Sequence, residues 1–149
     1  MTEIEFTVYG EPMGKQRQRF SRMGNYVRAY TPEKTTNYEG LVGYTYGETV
    51  VDKMKEEPNF IGIFEGAIGV EIKAYLSIPE STSKKKKLLM IDNSIRPQKK
   101  PDADNIAKII LDGLNKVAFK DDSQIVSLHV SKYYGERPRC DIRIYTINE

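Results

Sequence analysis

Along Ile4-Glu5-Phe6-Thr7-Val8-Tyr9, apolar and polar side chains alternate, which predicts a strand closed by Gly10-Glu11-Pro12. Met13-Gly14-Lys15-Gln16-Arg17-Gln18-Arg19-Phe20 has no period and reads as a basic loop. A Gly24-Asn25 turn introduces a short strand, Tyr26 to Tyr30. Thr31-Pro32-Glu33 predicts a helix start, with Thr31 as N-cap and Pro32 at the first helical position. That helix runs to about Lys55; Gly40, Gly43 and Gly47 either weaken it or let it pack closely against another element.

The pattern is sharper further on. Ile68, Val70, Ile72, Ala74 and Leu76 share one face of a strand, with Glu71 and Lys73 on the other. Ser81 or Ser83 caps a short lysine-rich helix that ends before Pro97. Residues 104–117 give the clearest helix, with Ile106, Ile109, Ile110, Gly113, Leu114 and Val117 in one stripe. Gln124 to Tyr134 and Cys140 to Ile147 flank Gly135-Glu136-Arg137-Pro138 and read as a hairpin. Helices mixed with strands predict an α+β fold with a mixed or antiparallel sheet.

At 149 residues, 39% hydrophobic and 30% charged, the chain suits one globular domain without disulfide staples. Its lone cysteine, Cys140, excludes an internal disulfide and a cysteine-cluster zinc site; its lone histidine, His129, excludes mechanisms that need two. Met1-Thr2-Glu3-Ile4-Glu5 is acidic, and no stretch approaches the roughly 18 apolar residues of a spanning helix. A soluble protein of a reducing, cytoplasmic compartment with no membrane partner is expected. The net charge is only +2, yet segments 15–34 and 84–100 hold 13 of the 23 lysines and arginines, and five aspartates fall between 102 and 122. This separation points to a polyanionic partner around an acidic centre.

That centre is Pro101-Asp102-Ala103-Asp104-Asn105-Ile106-Ala107-Lys108. Asp102 sits at or just before the helix start, beside the positive end of the helix dipole. Asp104 and Lys108 lie one turn apart, opposite the apolar stripe. Asp121 and Asp122 follow in the next loop, and a loop that returns along the helix brings one of them back to the first two. Three converging carboxylates need a cation, and hard oxygen ligands suit Mg²⁺ or Mn²⁺. Lys108 is then placed to stabilise charge on a phosphate. Taken singly, each aspartate has a plainer role as helix cap or turn residue, and Asp104–Lys108 as a surface pair.

Asp102-x-Asp104-Asn105-x-x-Lys108, then Asp112-x-Leu114-Asn115 and Asp121-Asp122, resembles the RusA-type Holliday-junction resolvases. Gly10-x-Pro12-x-x-Lys15-x-Arg17-x-Arg19-Phe20 is similar to the opening of that family, so the likeness spans nearly the whole chain. It implies a single α+β endonuclease domain over residues 1–149, bacterial or phage-encoded, that acts in recombination and repair. As a homodimer it would nick two strands of a four-way DNA junction with Mg²⁺ or Mn²⁺. Asp102, Asp104 and Asp122 take the metal-ligand positions, Asp121 being the alternative to Asp122, and Lys108 the catalytic lysine. Gln18 departs from the proline common there. Leu111 lies near Asp104 and Lys108 on the helical wheel and wants cover, either from the protein's own loops or from a second subunit.

Lys15, Arg17, Arg19, Arg22 and Arg28, interleaved with Phe20, Tyr26 and Tyr30, form an expected DNA-binding zone without an acid from 12 to 32. Lys84, Lys85, Lys86, Lys87, Arg96, Lys99 and Lys100 form a second. Glu71-Ile72-Lys73 resembles the E-x-K of restriction-type nucleases, but its Pro-Asp partner would have to lie upstream. His129 and Cys140 read as structural, Ser81-Thr82-Ser83 has no nucleophile's partner, and Met13-Gly14-Lys15 is no phosphate loop. The rival readings are a nuclease for flaps or forks, a junction-binding accessory protein without catalysis, and a structural protein whose aspartates are helix caps.

Overall fold

The computed structural model describes residues 2–147. It is α+β, with a four-stranded mixed sheet and three helices. Strands β1 (Glu3–Tyr9), β4 (Ile68–Ser77), β5 (Ile125–Gly135) and β6 (Arg139–Thr146) build the sheet in the order β1-β6-β4-β5. β6 is antiparallel to both of its neighbours, whereas β4 and β5 are parallel. The expected hairpin of the last two strands therefore does not form: β4 lies between them. Cys140, Ile142 and Ile144 are almost wholly buried, which suits β6 to an interior position. β5 carries Ser127, His129, Ser131 and Lys132 and takes the edge, where polar side chains and unpaired backbone meet water.

One face of the sheet is covered by α1 (Glu33–Glu56) and α3 (Ala103–Leu114). Ile4, Phe6 and Val8 of β1 and Val70, Ile72, Ala74 and Leu76 of β4 meet Val42 and Tyr46 of α1 and Ile106, Ile109, Ile110 and Leu114 of α3 in one core. Each of these isoleucines contributes about 1.5–3 kcal/mol by leaving water. Cys140 is buried here, and burial pushes its thiol up to about 11, which leaves it protonated and closed off, in keeping with a structural role.

Several boundaries differ from the sequence expectations. α1 starts one residue later than expected, with Pro32 rather than Thr31 in the cap position and ψ at 143°. Helix α2 (Lys84–Ile91) is capped by Ser83, whose hydroxyl accepts from the Lys86 amide at 3.3 Å. α3 stops at Leu114 rather than at 117. Lys116 takes a positive φ of 65° and its amide turns to the Phe119 carbonyl, so Ala118 and Phe119 fill the core where Val117 was expected. The basic loop holds an unexpected strand, β2 (Arg19–Met23), paired with β3 (Tyr26–Tyr30). This ribbon is exposed throughout and forms a sheet of its own.

Of the three α1 glycines, Gly43 packs closely: a Cβ there would lie 3.2 Å from the Gly113 carbonyl oxygen. Gly40 and Gly47 face open space. Gly40→Ala and Gly47→Ala should therefore each stabilise the protein by about 0.5–1 kcal/mol, because alanine favours helix and loses less chain entropy. Urea unfolding checks this; a loss of stability would mean that these positions meet something in solution.

Candidate active site

Asp102 and Asp104 sit together at the start of α3. Asp102 is the N-cap residue, with its carbonyl accepting from the Ile106 amide at 3.0 Å, but its side chain makes no capping hydrogen bond. Asp104 accepts only the Asn105 amide, at 2.9 Å. Neither carboxylate, nor Lys108, forms an ion pair among the described residues, so the surface pair Asp104–Lys108 is not made. All three are exposed. Two exposed carboxylates two residues apart at one helix start, neither ion-paired among the described residues, leave their oxygens open to a cation.

Asp121 and Asp122 are placed differently. Asp121 caps a 3₁₀ turn, Asp122–Gln124: its carboxylate accepts from the amide and the hydroxyl of Ser123, while Gln124 reaches back to the Asp121 amide at 3.1 Å. The Ser123 hydroxyl, more than any other group, holds the Asp121 carboxyl below the usual range, and Lys116 adds its charge. Asp122 makes no side-chain hydrogen bond or ion pair among the described residues, so its carboxylate is the uncommitted one of the two. The proximity of Lys116 puts this turn at the C-terminal end of α3. A helix of 12 residues spans about 18 Å. The loop does not return along the helix, and among the described residues no three acidic, histidine or cysteine side chains are grouped to hold a metal.

The basic loop docks directly onto α3. The Lys15 amide donates to the Asn105 carbonyl at 2.9 Å, and Gly14 passes so close that a Cβ would lie 3.0 Å from Cβ of Pro101. A side chain at Gly14 would crowd Pro101 and Asn105 and strain this contact. Lys15, expected at DNA, is engaged inside the protein: its ammonium lies 2.8 Å from Glu39 and 3.0 Å from Asp112. Burial draws its pKa down, but these two carboxylates outweigh it and the net shift is upward. No periodicity in the sequence signals this pairing. Arg17, Arg19, Arg22 and Arg28 are exposed along the loop and ribbon, beside Phe20 and Tyr26, which are 70% and 78% exposed.

The second basic zone gathers at the same end of the sheet. Lys99 offers its carbonyl to the Lys132 ammonium at 2.6 Å, and Arg96 donates to the Lys132 carbonyl at 2.6 Å, which fixes segment 96–99 across the end of β5. Asp102 follows three residues later, within about 11 Å of chain. Lys84, Lys85, Lys86, Lys87, Lys99 and Lys100 are all exposed, with Lys87 3.9 Å from Glu136. Leu111 is half-buried against the protein's own core. Among the described residues no helix is long and apolar enough to cross a membrane.

The α+β domain thus carries a carboxylate pair on a helix start, and Asp102 lines one cleft with Lys15, Arg17 and Lys100. The family is specific. The sequence matches Endodeoxyribonuclease RusA over residues 9–145. It is also 37% identical, over 147 residues and 97% of both chains, to "Uncharacterized protein YqaN" of Bacillus subtilis (strain 168). The chain belongs to the RusA endodeoxyribonuclease family.

Proposed function

We propose that this protein is a homodimeric, divalent-metal-dependent endonuclease that resolves four-way DNA junctions by phosphodiester hydrolysis. The observation that carries this reading is the pair Asp102 and Asp104, without cationic partners, at the sheet end where both basic zones meet. The donor set fits Mg²⁺ or Mn²⁺, since such ions need only one or two carboxylates when waters and phosphate oxygens complete the shell. Asp102 and Asp104 would hold the ion, which supplies Lewis acidity at the scissile phosphate. Lys108 stabilises the negative charge that grows on the phosphoryl oxygens as water's oxygen bonds to phosphorus and the ester bond to one sugar oxygen breaks, that oxygen leaving as the hydroxyl with a proton from the water. Arg17, Arg19, Arg22, Arg28, Lys84, Lys85, Lys86, Lys87, Lys99 and Lys100 hold the arms, and Lys15 positions the loop that carries the first of them.

The dimer is supported by β5 and by Asp122. Val126 to Ser131 make no backbone hydrogen bonds except to β4 among the described residues, and Val126 and Leu128 are 63% and 47% exposed beside this open edge. An edge of that kind pairs readily with another strand. A twofold centred near Leu128 joins two β5 strands antiparallel and brings the Asp122 turn of one copy beside segment 132–134 of the other. There it approaches the second copy's Asp102 and Asp104. Each site would then be built from two chains, and a symmetric junction would meet two sites.

The test is cleavage of a synthetic four-way junction with Mg²⁺ or Mn²⁺, against duplex, flap and fork, with the mass in solution measured on the same preparation. Symmetric nicks on the junction and twice the chain mass of 17.1 kDa are expected. Binding without cutting under either metal would make this a junction-binding accessory protein. Preferred cutting of flaps or forks would reassign its substrate.

A further inference from the structure

The face of the sheet away from the helices carries a row of alternating rings and guanidinium groups at its site-proximal end. Tyr9 lies opposite Arg139, Arg139 opposite Tyr75, and Tyr75 opposite Tyr133, so the row crosses all four strands. Arg137 stacks 3.9 Å over the Tyr9 ring, Arg139 3.9 Å over Tyr75, and Arg96 4.1 Å over Tyr133; Tyr75 and Tyr133 stack at 5.3 Å. Three strand spacings make the row about 14 Å long between Tyr9 and Tyr133.

Its two ends are free to bind. Arg139 is committed to Asp141 at 3.3 Å and to the Arg137 carbonyl at 3.1 Å. Arg96 spends only its Nε, on the Lys132 carbonyl, and the Arg137 side chain donates no hydrogen bond among the described residues. Both therefore keep their terminal nitrogens, and stacking on tyrosine fixes the planar fork before any ligand arrives. Asp141 is the acid within the row, Glu136 turns to Lys87, and Glu11, beside the Tyr9 end, accepts from the Ser77 amide at 3.4 Å. The other half of the same face is charge-balanced, with Arg143 held by Glu3 at 2.8 Å and Lys73 3.7 Å from Glu71. The positive end is the end that carries segment 96–99 and the basic loop.

We infer that Arg96 and Arg137, held on their tyrosines, form a further DNA contact that grips backbone phosphates of a duplex arm as it leaves the cleavage site over the strand ends. This rests on the junction-binding reading above. The occupant is a phosphodiester backbone because the row offers forked cations with no uncommitted acid, and its rings are already stacked rather than open to bases.

The experiment is junction binding by fluorescence anisotropy across a salt series with Ca²⁺, using Arg96→Gln/Arg137→Gln against wild type and against Arg143→Gln, which removes one positive charge from the balanced half of the face. The double variant should flatten the slope of log K against log salt by about 1.8, at 0.9 per phosphate contact. Arg143→Gln should leave it unchanged. Arg96→Lys/Arg137→Lys should restore the slope but not the full affinity, since lysine lacks the stacked fork. An unchanged slope in the Gln double variant overturns the inference, as does loss of the dimer in that variant, which would make this face a protein contact. If wild type binds no junction at all, the functional reading itself fails first.

Discussion

Asp104→Asn and Asp122→Asn should each abolish junction nicking when assayed alone, by at least about 10²–10³-fold, and should recover activity when the two proteins are mixed. The loss follows from removing one oxygen charge from a centre that works by electrostatic stabilisation. The recovery follows from the proposed dimer with shared sites, since α3 sets the two aspartates about a helix length apart within one chain. In a mixed dimer with shared sites, one site carries both substitutions and the other carries neither. Random exchange of subunits puts half the protein in that form, so about a quarter of the wild-type sites return. If both aspartates served the same site within one chain, every site in the mixed dimer would be damaged and mixing would restore nothing. Junction affinity, measured in parallel, should change little in either variant, which separates lost chemistry from lost folding.

Gly113→Val should be the most damaging change to stability, by about 3 kcal/mol. A Cβ at Gly113 would lie 2.8 Å from the Glu39 carbonyl oxygen and 3.2 Å from its Cα. Both are main-chain atoms of α1 and cannot swing aside, so the two helices must separate and the core between Val42 and Ile110 loosens. Gly113→Ala tests the same contact more gently. Alanine normally gains about 1 kcal/mol over glycine inside a helix, so a net loss there isolates the clash. Urea unfolding with an unchanged m-value is the measurement. Stabilisation by Gly113→Ala would mean that α1 and α3 approach less closely than described.

What could be read in the sequence depended on how local its cause was. β1, β4 and the core stripe of α3 were legible because alternate or helical spacing fixes which side chains leave water. β2 was not, because Arg19-Phe20-Ser21-Arg22-Met23 has no buried face to impose a period; its partner strand alone defines it. The strand order also escaped. A three-residue connection after β5 suggested adjacent strands, but the competition among apolar strands for interior places is a property of the whole sheet. The Asp102–Asp104 pair was visible because both fall at one helix start, and Lys108 because it follows Asp104 by one helix turn. Lys15 looked like part of a DNA-binding run until two acids distant in sequence, Glu39 and Asp112, were seen to hold it. Asp122 fell outside local reasoning altogether, since its distance from Asp102 depends on where α3 ends.

The β2–β3 ribbon has a consequence of its own. Its ladder is not continuous with the main sheet, and nearly all of its apolar side chains stay in water. Two strands with so little burial are marginally stable, so the ribbon opens with a free energy far below that of the body. Its amides should exchange with solvent long before those of β4, and a DNA arm that settled on Arg19, Arg22 and Arg28, as proposed above, would have to order it first. Part of the energy of that contact is then used in shaping the protein. On the proposed reading, the ribbon would tell a well-fitting arm from an ill-fitting one by how firmly each makes it close.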